Sequence, residues 1–93
     1  MSRPSDADIP ASPDAYAAWV NRRIGQEVLR RRTAIGLSAY ALAKQTKLTA
    51  QSIRNIELGK CPTGALSTSL ALVAHRFGTT LGRFISSAED PRE

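Results

Sequence analysis

The seven residues Thr49-Ala50-Gln51-Ser52-Ile53-Arg54-Asn55 hold two carboxamides, a guanidinium and two hydroxyls. These groups donate and accept hydrogen bonds without help from a metal or cofactor. If they project from one short helix, a natural partner is a surface with fixed donors and acceptors, such as the base edges and phosphates of DNA. Small or apolar residues at Leu42, Ala43, Leu48, Ile53 and Ile56 would seat such a helix against a second one. Two short helices joined by a three- or four-residue turn make a helix-turn-helix. Its second helix lies in the major groove and meets base edges with its N-terminal residues. The segment from Ser38 to Gly59 fits this arrangement.

Catalytic chemistry is not indicated. One Cys (Cys61) and one His (His75) support neither a disulfide framework nor a four-ligand zinc site. The sequence offers no nucleophile with a base, no paired carboxylates and no Gly-rich phosphate loop. The chain reads as a non-enzyme with no metal, no cofactor and no small-molecule substrate. A lone Cys fits a reducing cytoplasm. No apolar run reaches the roughly 18 residues of a membrane span, and the N-terminus lacks the basic start and apolar stretch of a signal peptide. The expected location is therefore cytoplasmic, with no membrane partner.

The elements that must position the segment are helical. A chain of 93 residues, 42% of them hydrophobic, suits one domain with a small core. Residues 1–12, with Pro4 and Pro10, read as a flexible arm. Ser12 and Pro13 suit the start of a first helix running to about Ile35 and stopped by Gly36. Tyr16, Val20, Ile24 and Val28 share one face of it. Gly25 inside it either permits close packing or marks a break. Ser38 caps a second helix over Ala39 to Gln45, and Thr49 a third over Ala50 to Leu58. A loop follows over residues 60–64. Leu66, Leu70, Val73, Ala74 and Phe77 mark a fourth helix, and Thr79 or Thr80 caps a short fifth holding Leu81, Phe84 and Ile85. The domain is expected to span residues 13–87, with 88–93 a loose acidic tail. No segment alternates as a strand does, so the fold class is all-α, with four to five short helices.

Charge is uneven along the chain, whose net formal charge is +5. Residues 16–60 carry nine Lys/Arg against Glu27 and Glu57 alone, while both ends are acidic. This pattern suits either a polyanion-binding face or a basic soluble surface.

Taken together, Ile24-Gly25, Val28, Arg32, Gly36-Leu37-Ser38, Leu42-Ala43, Leu48-Thr49, Ser52-Ile53 and Ile56-Glu57-Leu58-Gly59-Lys60 resemble the Cro/C1-type (XRE, phage repressor-like) helix-turn-helix family. Leu70, Ala74, Phe77-Gly78 and Leu81 fall where that family has its fourth and fifth helices, so the resemblance covers roughly residues 22–86. It implies a compact lambda repressor-like bundle and a DNA-binding transcriptional regulator, a repressor acting as a homodimer on double-stranded DNA. It also implies an internal ion pair between Arg32 and Glu57, with Arg32 able to offer remaining donors to a phosphate. Gln51 and Asn55 match groove-facing positions, where their amides suit adenine. Arg54 suits a guanine, a phosphate or plain solvent. Thr49 and Ser52 could bond phosphates, although Thr49 also suits an N-cap. Ser38 and Lys60 match positions near the DNA backbone.

The chain departs from the family pattern at four places. Ala39 stands for a usual Gln, and Leu58 for a frequent Asn. Ala50, as the first exposed recognition position, could touch only a thymine methyl. Lys47 occupies a turn position where the family often has Gly, so a positive φ is expected there. Arg30, Arg31 and Arg32 form a basic run, with Arg31 at a position usually apolar. Tyr16 and Trp19 on the extended first helix, with Leu81, Phe84 and Ile85 on the fifth, are the expected dimer surface. The same N-terminal extension allows an alternative, an antitoxin-like or adaptor module whose main partner is another (toxin-like) protein.

Overall fold

Ser12, Ser38, Thr49 and Thr80 each turn a hydroxyl onto a backbone N–H that a helix start leaves unpaired. The hydroxyl oxygens accept from Ala15, Ala41, Ser52 and Arg83 at 3.1, 3.0, 3.0 and 3.2 Å. The computed structural model, which describes residues 9–60 and 66–89, has five helices: α1 Pro13–Ala34, α2 Ala39–Thr46, α3 Ala50–Glu57, α4 Leu66–Arg76 and α5 Leu81–Glu89. No strand occurs among the described residues, and the fold is all-α as expected. Most of the expected arm (1–8), the loop after Lys60 with Cys61, and residues 90–93 lie outside the described part.

The largest fully buried side chains come one from each helix: Val28, Leu42, Ile53, Val73 and Phe84. Ile24, Ala43, Ile56, Leu70, Ala74 and Ala88 complete it. α3 packs on α1 and α2, α4 on α2 and α5, and α5 returns to α1. α1 is therefore the spine, touching α3 on one side and α5 on the other.

Gly25 resolves as a packing glycine. α1 runs through it unbroken for 22 residues. A β-carbon there would lie 2.5 Å from the carbonyl oxygen of Ile56 and 2.6 Å from that of Glu57, so only Gly lets α3 lie this close to α1. The turn between α2 and α3 passes through Lys47 at φ 62°, the left-handed conformation anticipated. Its N–H, with that of Leu48, closes the end of α2 on the Ala43 carbonyl. Such a conformation is unfavourable for a residue with a side chain, and the capping hydrogen bonds hold it.

Two expectations fail. Phe84 is 0% exposed, so it is the keystone of the core and cannot face a second subunit. Leu81 and Ile85 are half-buried against the same core. The chain also stays ordered past residue 87, because α1 holds the end of α5 from three points. Ser87 Oγ donates to Glu27 at 3.1 Å, Arg23 Nε to the Ala88 carbonyl at 3.1 Å, and Tyr16 Oη to Glu89 at 2.8 Å. The last contact raises the Tyr16 pKa, since the carboxylate accepts the phenolic proton and repels a phenolate. Tyr16 thus already serves α5, with Trp19 stacked on it at a centroid distance of 5.9 Å, although Tyr16 keeps an exposed edge.

Candidate nucleic-acid interface

The α3 helix buries Ile53 and Ile56 and half-buries Ala50, Ser52 and Glu57. Its opposite face presents Gln51, Arg54, Asn55 and the helix-ending Leu58, spaced as i, i+3, i+4 and i+7. Gln51 and Arg54 are exposed and Asn55 half-buried. Gln51 Nε2 donates to Asn55 Oδ1 at 2.9 Å, so the two amides lie side by side as a ready-oriented pair. Ala50 packs against the core; its methyl is less available than a first recognition position would be. Leu58, 64% exposed, is the larger apolar group on this face.

Two devices hold α3 from behind, the Gly25 contact and an ion pair. Arg32 Nε and Nη2 donate to the Glu57 carboxylate at 2.5 and 3.1 Å, and Nη1 donates to the Leu37 carbonyl at 3.3 Å. The expected pair is present, with the two side chains 17% and 11% exposed. The carboxylate raises the Arg32 pKa against the opposing effect of burial. Three of the guanidinium's five N–H groups are thereby engaged, which makes Arg32 chiefly a clamp. Thr49 is similarly occupied: its Oγ1 accepts from Ser52 N and donates to Ser52 Oγ at 2.9 Å. Ser38 is an exposed N-cap whose hydroxyl already serves Ala41.

Burial sorts the central charge. Arg30 and Arg31 share the carboxylate of Glu27, at 2.7 and 2.6 Å, and Arg32 takes that of Glu57. Both acidic residues of the basic stretch are thus neutralised inside the bundle. Arg22, Lys47, Arg54 and Lys60 are exposed and join no ion pair among the described residues. Lys47 precedes α3, Arg54 lies on it and Lys60 follows it. Arg22 joins them from α1, because a β-carbon on Gly59 would sit 3.5 Å from its Cγ. Sequence reading missed Arg22 because that proximity spans 37 residues of chain. It also missed Tyr40, 65% exposed on α2 with the Lys44 ammonium 5.6 Å from its ring; their i, i+4 spacing was the available signal. Among the described residues no three His, Cys, Asp or Glu come together as metal ligands would, and no helix is long and apolar enough to cross a membrane.

No family model and no curated protein sequence matches the chain. Solved structures do. The clp gene regulator ClgR from Corynebacterium glutamicum superposes with a TM-score of 0.64 at 19% identity, over 74% of this chain and 71% of that one. Hydroxypropylphosphonic acid epoxidase from S. wedmorenis superposes with a TM-score of 0.58 at 25% identity, over 69% of this chain. Its Fe(II) form gives 0.60, over 77% of this chain. This chain spans only about a third of the epoxidase, 33% and 35% in those two structures. The five-helix bundle is thus a fold shared with a gene regulator and with part of an enzyme.

Proposed function

We propose that the chain is a Cro/C1-like helix-turn-helix module that binds double-stranded DNA through α3 and regulates transcription, without catalysis of its own. One observation carries this reading. α3 is clamped from behind by Gly25 and Arg32, presents the Gln51–Asn55 amide pair outward, and is flanked by the cations Arg22, Lys47, Arg54 and Lys60, which join no ion pair among the described residues. Gln51 and Asn55 offer a bidentate edge to adenine, and Arg54 a fork to guanine. The surrounding cations neutralise phosphates and set register. The fold shared with ClgR is consistent with this role.

A module of this size covers little DNA, so it acts as a homodimer on two half-sites about 10 bp apart, most simply as a repressor. The edges of Tyr16, Trp19, Leu81 and Ile85 left by the core remain for a subunit contact. Selection from a random duplex library tests the reading. Enriched half-sites are expected, with affinity falling steeply as salt rises. Gln51→Ala should lose about 1–3 kcal/mol of discrimination at one base position while its unfolding midpoint stays put. Absence of binding at low salt would overturn the proposal. A protein partner at the exposed edge of Tyr16 is the second reading; a Tyr16→Ser variant that keeps DNA binding but loses a co-purifying protein would favour it.

A further inference from the structure

The last turn of α1 and the end of α4 enclose an open cleft of about 330 Å³, lined by Arg30, Arg31, Ala34, Ile35, Arg76 and Phe77. No residue of α2 or α3 lines it, so it is separate from the face assigned to DNA. Three guanidiniums surround an apolar floor. Each spends its Nε on a neighbour: Arg30 and Arg31 on Glu27, Arg76 on Gln45. Arg30 also spends Nη2 on Glu27. The Nη groups of Arg31 and Arg76 make no hydrogen bond with another described residue, and the Arg31 guanidinium is held in place 5.4 Å from the Phe84 ring centroid.

Charge decides what the cleft accepts. The three arginines are opposed by Glu27 and by two helix C-termini, each worth about half a negative charge. The remainder is about one positive charge, enough for a monoanion and too little to favour a polyanion. The exposed Ala34 and Ile35 and the half-buried Phe77 offer contact that a bare phosphate cannot use. The volume matches the lower end of small-ligand sites, and a guanidinium fork matches a carboxylate. We propose that this cleft binds a small organic monocarboxylate with an apolar alkyl or aryl body.

The test is titration of the ¹⁵N-labelled full-length chain with benzoate and hexanoate to about 10 mM, followed by amide shifts. Saturable shifts centred on Ala34, Ile35 and Phe77 are expected, with millimolar or tighter affinity. Acetate and inorganic phosphate should bind about tenfold more weakly or not at all. Arg76→Gln should weaken benzoate by about tenfold. Because Arg76 also ties α4 to Gln45, Ile35→Ser is the companion variant; its side chain is exposed, and it should erase the preference for benzoate over acetate. The proposal is overturned by an absence of saturable shifts, by phosphate binding as well as benzoate, or by an Ile35→Ser variant with its preference intact. Binding of a short peptide ending in leucine where neither free acid binds would likewise replace it with a peptide-docking surface.

Discussion

The two sides of α1 hold their neighbours by different means. Toward α3 the contact is close and nearly bare, a glycine against two carbonyls with one ion pair at the rim. Toward α5 it is long and polar, with Tyr16, Arg23 and Glu27 reaching Glu89, the Ala88 carbonyl and Ser87 over a buried Phe84. The first arrangement fixes a short helix with few groups and leaves its outer face unencumbered. The second commits the Tyr16 hydroxyl and the inner faces of Leu81 and Ile85 to the bundle, leaving only their edges for a partner. A helix of eight residues is marginal on its own, so α3 owes its geometry to α1 and α2, and the base reading proposed for it rests on the bundle.

The largest effect is expected on the α5 side. Phe84→Ala removes the largest fully buried side chain and should cost about 3–5 kcal/mol in urea unfolding, enough to unfold much of a domain this small. On the α3 side, Glu57→Gln leaves Arg32 partly buried without its charge partner. A loss of about 2–3 kcal/mol is expected, below the range for a fully buried pair because both side chains retain some exposure. DNA affinity should fall with it. Gly25→Ala should cost about 1–3 kcal/mol by overpacking, and amide shifts should concentrate at the end of α3. Shifts spread instead over α5 would break the distinction between the two sides.

The smallest effect is a pH dependence. Burial pushes the Glu27 carboxyl up, but hydrogen bonds from Arg30, Arg31 and Ser87 outweigh it and hold the pKa below the usual glutamate value. A depressed carboxylate pKa adds stability that is complete above the unfolded value of about 4.3 and lost as pH falls through the lower folded value. Wild-type stability should therefore drop below about pH 4. Glu27→Gln should be weaker at neutral pH and approach the wild type in acid. Parallel curves would show that Glu27 carries no such linkage.

Local signals made much of this legible. Ser12, Ser38 and Thr49 are caps whose chemistry sits within three residues, while the positive φ at Lys47 follows from the resemblance to a family that often has Gly at that turn position. What sequence reading missed depends on residues far apart in the chain. Apolar spacing marked Phe84 as one face of a helix but could not tell a core face from a subunit face, because that depends on where α1 lies. The end of α5 is set by Tyr16, Arg23 and Glu27, more than sixty residues upstream in two of its three contacts. Arg22 and Ala50 follow the same rule: one gains a place beside α3 and the other loses exposure through packing alone. The polar face of α3 was legible because exposed residues answer to helical spacing and little else.

A core that takes one side chain from every helix has no seam along which to come apart. Val28, Leu42, Ile53, Val73 and Phe84 meet in one cluster, so the packing of each helix leans on its neighbours. Unfolding is then a single step, and the slowest-exchanging amides of all five helices should share one opening free energy. For the DNA-binding role proposed above, this turns gradual wear into a threshold: a weakened variant spends less time folded, but whenever it is folded α3 is presented whole.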